Sequence, residues 1–208
     1  MNTPVELPMF PLSTVLFPGQ PIPLNVFEPR YRAMMNDIGP NGEFGICLIE
    51  RGSEVGGGDI RTNVGTVAQV QLLDSVGEDM YFLFASGQRR FVVEEWLSDD
   101  PYPRARVRFL QDDEVPSSDI LQTAISSVRA VRHLESEIDM DTSANSVCEF
   151  DDDPVAAAWQ CCSFPHMATM DRQSVLQTEH VDDRLRLVAE ICCERYGDLQ
   201  RFIQLNDE

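Results

Sequence analysis

The chain has 208 residues, 43% hydrophobic and 25% charged, which suits one large or two small globular domains with apolar cores of their own. Acidic residues number 35 against 16 basic ones, a net charge of −19, and every basic residue is an arginine. Phosphate backbones and anionic membranes are bound by clustered cations, so this balance speaks against both as partners. The lack of lysine excludes a GxxxxGK[ST] phosphate loop, a Ser–Lys dyad and a lysine Schiff base. No apolar run approaches the roughly 20 residues of a membrane helix. The opening MNTPVELPMF has no basic region followed by an apolar run, so no secretory signal is expected, and the expected location is cytoplasmic.

Eleven of the twelve glycines precede residue 116, and the apolar pattern there alternates with period two. Leu7 to Leu12 and Val15 to Phe17 predict extended chain, ended by the Pro18-Gly19 turn. Ile22 to Phe27 continues extended, with Pro21 and Pro23 marking an edge or a bulge. PRYRAMMNDI, residues 29–38, predicts a helix with Pro29 in its first turn and Gly39-Pro40 as its stop. Glu43 to Glu50 alternates with Phe44, Ile46 and Leu48 on one face. GSEVGGGD, residues 52–59, predicts a flexible loop. Strands follow at Val64 to Leu73, Met80 to Ala85, Arg90 to Trp96 and Arg104 to Leu110. Turns are expected at Ser86-Gly87-Gln88 and Asp99-Asp100-Pro101.

Beyond residue 116 the apolar period lengthens to that of a helix. Ser117 or Ser118 caps a helix running to about Glu137, with Ile120, Ala124, Val128 and Val131 on one stripe. Asp151, Asp152 and Asp153 precede Pro154, a favourable charge and residue order for a helix start, and this helix runs to Phe164. Shorter and longer helices follow at Asp171 to Gln177 and from Val181 to about Leu205, the last with a bend at Gly197. The expected class is α+β: a small β-barrel of about six strands with one inserted helix over 1–115, then an α-helical part over 116–208.

The chemistry-bearing residues form no known catalytic pattern. Cys47, Cys148, Cys161, Cys162, Cys192 and Cys193 contain no CxxC and no zinc spacing, and they are expected as reduced thiols packed like small apolar groups. His133, His166 and His180 fit no metal motif, so no metal or other cofactor is expected. The densest motif is FEPRYRAMM. Glu28 is expected to accept backbone N–H bonds at the helix start, and Arg30 and Arg32 to pair with carboxylates. Tyr31, Met34 and Met35 share one helical face, which reads either as core or as an adaptable apolar contact surface beside the 52–59 loop.

LPMFPLSTVLFPGQPIPLNVFEPRYRAMMND resembles the start of the Lon N-terminal, or LON substrate-binding, domain family. FGICLIERGSEVGGG, VGTVAQV, SGQRRFVVEEW and DDPYPRARV continue the resemblance in order, and AAWQCCSFPHMATMDRQSVLQTEHVDDRLRLV extends it more weakly. The resemblance implies a PUA-like β pseudobarrel with a C-terminal helical subdomain. It implies a stand-alone domain ending at Glu208, without ATPase or peptidase regions, and no catalytic residues. Phe27, Glu28, Pro29, Arg30, Arg32, Arg89 and Arg90 correspond to family signature positions of structural character. The implied function is non-enzymatic binding of unfolded or apolar polypeptide, as an adaptor or substrate selector, with a protease or another protein complex as a further partner. Tyr31, Met34 and Met35 are the candidate peptide-binding residues. The alternatives are a PUA-like nucleic-acid binder, which the acidic composition opposes, and a small hydrolase, for which no triad is present.

Overall fold

Period-two alternation builds the first part of the chain and period-3.6 stripes build the second. The computed structural model describes residues 3–52, 54, 58–77, 79–138 and 148–206. It has two compact units, 1–112 and 113–208.

The first unit contains β1 (Val5–Leu12), β2 (Pro21–Val26), α1 (Pro29–Ile38), β3 (Glu43–Arg51), β4 (Ile60–Val76), β5 (Met80–Trp96) and β6 (Arg104–Phe109). They form one sheet in the order β2-β5-β4-β3-β1-β6, with β6 also paired to β5. The ring β5-β4-β3-β1-β6 therefore closes, which removes exposed sheet edges from it. β5 is long enough to serve two neighbours: Tyr81 to Ser86 pair with β2, and Phe91 to Trp96 pair with β6. β1 and β3 run parallel, Met9 beside Gly45 and Leu12 beside Leu48, and β2 and α1 lie in the crossover that a parallel pair requires.

Alternation sorts the strand residues into two clusters. Leu7, Met9, Cys47, Val67, Phe91, Val93, Ala105 and Val107 form one. Phe10, Leu12, Phe44, Ile46, Ala68, Val70, Leu83 and Ala85 belong to the other, joined by Tyr31, Met34 and Met35 of α1. Residues of opposite parity on one strand go to opposite faces, so β1 sends Met9 to the first cluster and Phe10 to the second. Packing in the first is close enough to demand glycine at 65, where a Cβ would stand 2.2 Å from the Ile46 carbonyl oxygen and 2.6 Å from Phe91 Cζ.

The strands differ from expectation in two places. Ser86-Gly87-Gln88 is not a turn: β5 runs straight through it. Gly87 is needed because a Cβ there would lie 2.2 Å from the Phe17 carbonyl oxygen, and the pairing of β4 with β5 shifts register between Thr66 and Ala68 beside it. The segment Val15 to Phe17 is buried but not a strand. Of the expected loop 52–59, residues 53 and 55–57 lie outside the described residues.

The second unit contains α2 (Ser118–Ile138), α3 (Pro154–Ser163), α4 (Thr169–Gln177) and α5 (Val181–Asn206). α2 buries Leu121, Ala124, Ile125, Val128, Val131 and Leu134, a stripe turned slightly from the expected one, so that Leu121 rather than Ile120 starts it. α5 buries Val181, Leu185, Val188 and Cys192 at the same spacing. Each fully buried aliphatic side chain contributes roughly 1.5–3 kcal/mol. Asp153 caps α3, accepting from the backbone N–H groups of Val155 and Ala156. The helix α5 is unbroken through Gly197. The Ser117 hydroxyl donates to Asp182 Oδ2 at 2.6 Å and its backbone N–H to Oδ1 at 2.8 Å, which ties the start of α2 to the first turn of α5. These bonds hold the Asp182 carboxyl below the usual carboxylate range. All six cysteines are free thiols; burial pushes Cys47 and Cys192 up to about 12, which keeps them protonated and unreactive.

Candidate functional site

The FEPRYR segment leads β2 into α1. Pro29 takes the first helical position and Glu28 the N-cap, yet the Glu28 side chain makes no capping bond. This corrects the expected role. Its carboxylate instead accepts from Arg30 Nε at 3.1 Å, while Arg30 Nη2 donates to the Glu54 carbonyl at 2.9 Å and its guanidinium lies over the Tyr31 ring. Arg32 pairs with Asp79 at 2.8 Å. Arg89 holds Glu43 through two hydrogen bonds of 3.2 and 2.8 Å. Arg90, 1% exposed, meets Asp112 through both its backbone N–H and its Nε, each at 2.7 Å. The ion pairs of Arg32, Arg89 and Arg90 thus join separate stretches of the first unit, whereas that of Arg30 is local, to Glu28 two residues before it. Phe27 is exposed.

Tyr31, Met34 and Met35 offer no contact surface in this structure. Met34 and Met35 are fully buried and Tyr31 nearly so, and Tyr31 stacks on Phe10 with ring centroids 4.0 Å apart. Burial pushes the Tyr31 hydroxyl above its ordinary range. The expected apolar surface is therefore corrected: the helix needs that stripe to cover the inner face of β2, β5 and β4, where Val26, Leu83, Ala85 and Val70 meet it.

The opposite face of the same three strands is apolar too, and it is uncovered. Phe84 of β5 stands between Pro23 of β2 and Leu72 of β4 in register. Phe84 is 38% exposed and Leu72 46%. One step along, Phe82 lies between Asn25 and Asp74, and Met80 pairs with Val76, itself 45% exposed. Neighbouring apolar residues across strands at about 5 Å make a continuous patch, the kind of surface that marks a binding site when it is left open. Its margin is acidic, with Asp74 and Asp79 both exposed. The free edge beside it, β2, carries Pro21 and Pro23. A proline has no N–H, so it sits in a paired strand only with its nitrogen turned to the open side. That edge is a poor template for an added strand.

The sequence held a signal for this face. MYFLFA in β5 is apolar at both parities, which a strand facing water on one side does not require.

A second feature of the unit is a cavity of about 430 Å³ lined by Asp59, Arg61, Asn63, Trp96 and Asp99 among others. Arg61 pairs with Asp59 at 2.5 Å and Asp99 at 2.6 Å and lies over the Trp96 ring. Burial works to raise the Asp59 carboxyl, but the Arg61 hydrogen bond, a backbone hydrogen bond and the charges of Arg61 and Arg30 together outweigh it and hold it below its usual range. With two carboxylates closed on one guanidinium, this cavity presents no free cation. Among the described residues no group of three or more His, Cys, Asp or Glu is arranged to hold a metal ion, and no helix is long and apolar enough to cross a membrane.

Residues 6–194 match the family model for the ATP-dependent protease La (LON) substrate-binding domain. The chain is 30% identical over 196 residues to a Lon protease of Anaeromyxobacter dehalogenans, covering 91% of this chain and 23% of that protein. It is 29% identical to Lon protease 2 of Myxococcus xanthus, covering 91% and 24%. The chain thus spans about a quarter of the length of these relatives. Among solved structures, a Lon N-terminal domain protein from Xanthomonas campestris aligns with a TM-score of 0.63 at 27% identity, covering 88% of this chain and 95% of that one. The N-terminal domain of a Mycobacterium avium complex Lon protease aligns with a TM-score of 0.63 at 16% identity, covering 91% and 98%, a likeness of fold.

Proposed function

The chain belongs to the LON substrate-binding domain family, and on that premise we propose that it binds polypeptide segments without catalysing a reaction, as an adaptor or substrate selector. The single observation that carries this reading is the exposed cross-strand cluster of Pro23, Phe84 and Leu72. An apolar face on a rigid sheet rewards any segment that brings apolar side chains to it, so it selects unfolded chain over folded surface. The proline-bearing edge of β2 disfavours docking by strand addition, so affinity comes from side chains and not from ladder hydrogen bonds. Methionine and phenylalanine tolerate varied partners. A contact of this size binds weakly, on the order of micromolar, because ordering the segment offsets much of the burial. The acidic margin and the charge of −19 favour basic, apolar segments, and added salt reduces that preference without abolishing binding. Relatives named Lon protease match this region, and delivery of polypeptide to such a protease is the role this reading assigns.

The test is fluorescence anisotropy with a labelled, unstructured basic-apolar peptide and the double variant Phe84→Ser, Leu72→Ser. Binding weakened at least about tenfold at an unchanged melting temperature is expected. Undiminished binding overturns the assignment of this face.

A further inference from the structure

The helical unit holds a cavity of about 330 Å³ whose walls come from α2, α5 and the segment between α3 and α4. Three charged side chains and a histidine meet there. Glu135 Oε2 lies 2.9 Å from His166 Nδ1 and 3.5 Å from Arg132 Nη1. Glu135 Oε1 lies 3.5 Å from Arg195 Nε. Arg132 Nη1 also stands 3.2 Å from the same His166 Nδ1.

These contacts cannot all be hydrogen bonds. An imidazole nitrogen either donates or accepts. A bare Nδ1 would set its lone pair against the Glu135 carboxylate at 2.9 Å, so Nδ1 carries the proton and donates to Glu135. The nearby Arg132 Nη1 then faces a donor, not an acceptor. Arg132 is left with one long contact to Glu135, and its Nε is buried without a hydrogen-bond partner. Glu135 Oε1 likewise is buried without a hydrogen bond, its approach to Arg195 being long. Buried polar atoms are rarely left so. Among the described residues of the cavity two guanidiniums share one carboxylate, which leaves one surplus positive charge inside a chain of net −19. Ile138 and Leu199 supply an apolar wall.

We propose that this cavity binds a monocarboxylate attached to a short apolar body, the carboxylate meeting Arg132 and Arg195 and the body lying against Ile138 and Leu199. One negative charge matches the surplus, and guanidinium is the side chain best suited to a planar carboxylate. A phosphate dianion would bring a second charge against Glu135. The volume is at the small end for ligand pockets and fits a few carbon atoms. Such a group comes from the C-terminus of a polypeptide ending in an apolar residue or from a free short aliphatic acid. The inference does not rest on the sheet face of the first unit.

The test titrates the full chain with N-acetyl-alanyl-leucine, with its C-terminal amide, with hexanoate and with inorganic phosphate, observed by NMR of the arginine Nε–H groups. The free acids are expected to bind and to shift Arg195 Nε–H, with the amide at least about tenfold weaker. Arg195→Gln is expected to weaken the acids about tenfold at an unchanged melting temperature, because this side chain is about half exposed. Phe84→Ser leaves the titration unchanged, which separates this site from the sheet face. Tighter binding of the peptide acid than of hexanoate assigns the site to chain ends, and the reverse order to free acids; both support it. Equal binding of acid and amide, phosphate as tight as the acids, no loss with Arg195→Gln, or no binding at all overturns it.

Discussion

The two units handle arginine differently. In the β unit most arginines meet acidic partners one to one or better: Arg61 between Asp59 and Asp99, Arg89 on Glu43, Arg90 on Asp112, Arg104 on Glu6. These arginines are closed, and what the unit leaves open is an apolar face with an acidic margin. In the helical unit Arg132 and Arg195 share Glu135, and what remains open is ionic. The lesson is that a net charge of −19 says little about any one place on the molecule. Local stoichiometry decides whether a surface recruits a ligand by charge or by burial.

Opening a closed pair should cost the most. Asp112→Ala removes the carboxylate from an arginine that is 1% exposed, and loss of about 3–5 kcal/mol is expected in urea unfolding, as for other buried pairs broken on one side. A loss under about 1 kcal/mol would mean that the pair is not the fixed element described. Next comes the inner face of the sheet. Met34→Ser creates a cavity and buries a hydroxyl beneath β5, and it should lower stability by about 2–5 kcal/mol. Peptide affinity of the fraction still folded should stay within about twofold; a stable Met34→Ser protein that no longer binds would move the site back to α1.

The smallest expected effect lies in the helical unit. Asp182 has its carboxyl lowered by the Ser117 hydrogen bonds, so its folded value lies below the unfolded one of about 3.9. The bonds therefore add stability that is present above about pH 4 and lost as pH falls through the folded value. Because Asp182 is only partly buried and stays in contact with water, the contribution stays under about 1 kcal/mol. Wild type should exceed Asp182→Asn in stability at pH 6, and the difference should shrink by pH 3. A difference that grows on acidification contradicts the sign.

Much of this architecture is legible in the chain itself. The change from period two to helical period near residue 116 marks the two kinds of structure, and Pro29 and Gly39 bracket α1 as expected. What misled is local ambiguity resolved only by tertiary contact. Ser86-Gly87-Gln88 has turn composition, but Gly87 serves the close approach of Phe17. Tyr31, Met34 and Met35 form a stripe that suits core and surface equally, and only the covering sheet decides. Glu28 has cap chemistry, but Arg30 two residues on takes its carboxylate. The i,i+3 pair of Arg132 and Glu135 is visible in the sequence. Its meeting with His166 and Arg195 is not, because three separate segments of chain supply it.

The central claim is that polypeptide docks on the outer face of β2, β5 and β4 and not on the stripe beneath it. Methyl NMR of the full chain, titrated with an unstructured basic-apolar peptide, tests this most directly, since Met80, Leu72 and Val76 report the outer face and Met34 and Met35 the inner one. Saturable shifts in the methyls of Met80, Leu72 and Val76, with those of Met34 and Met35 little moved, are the predicted result. Shifts centred on Met34 and Met35, or an outer face silent at saturation, would contradict it.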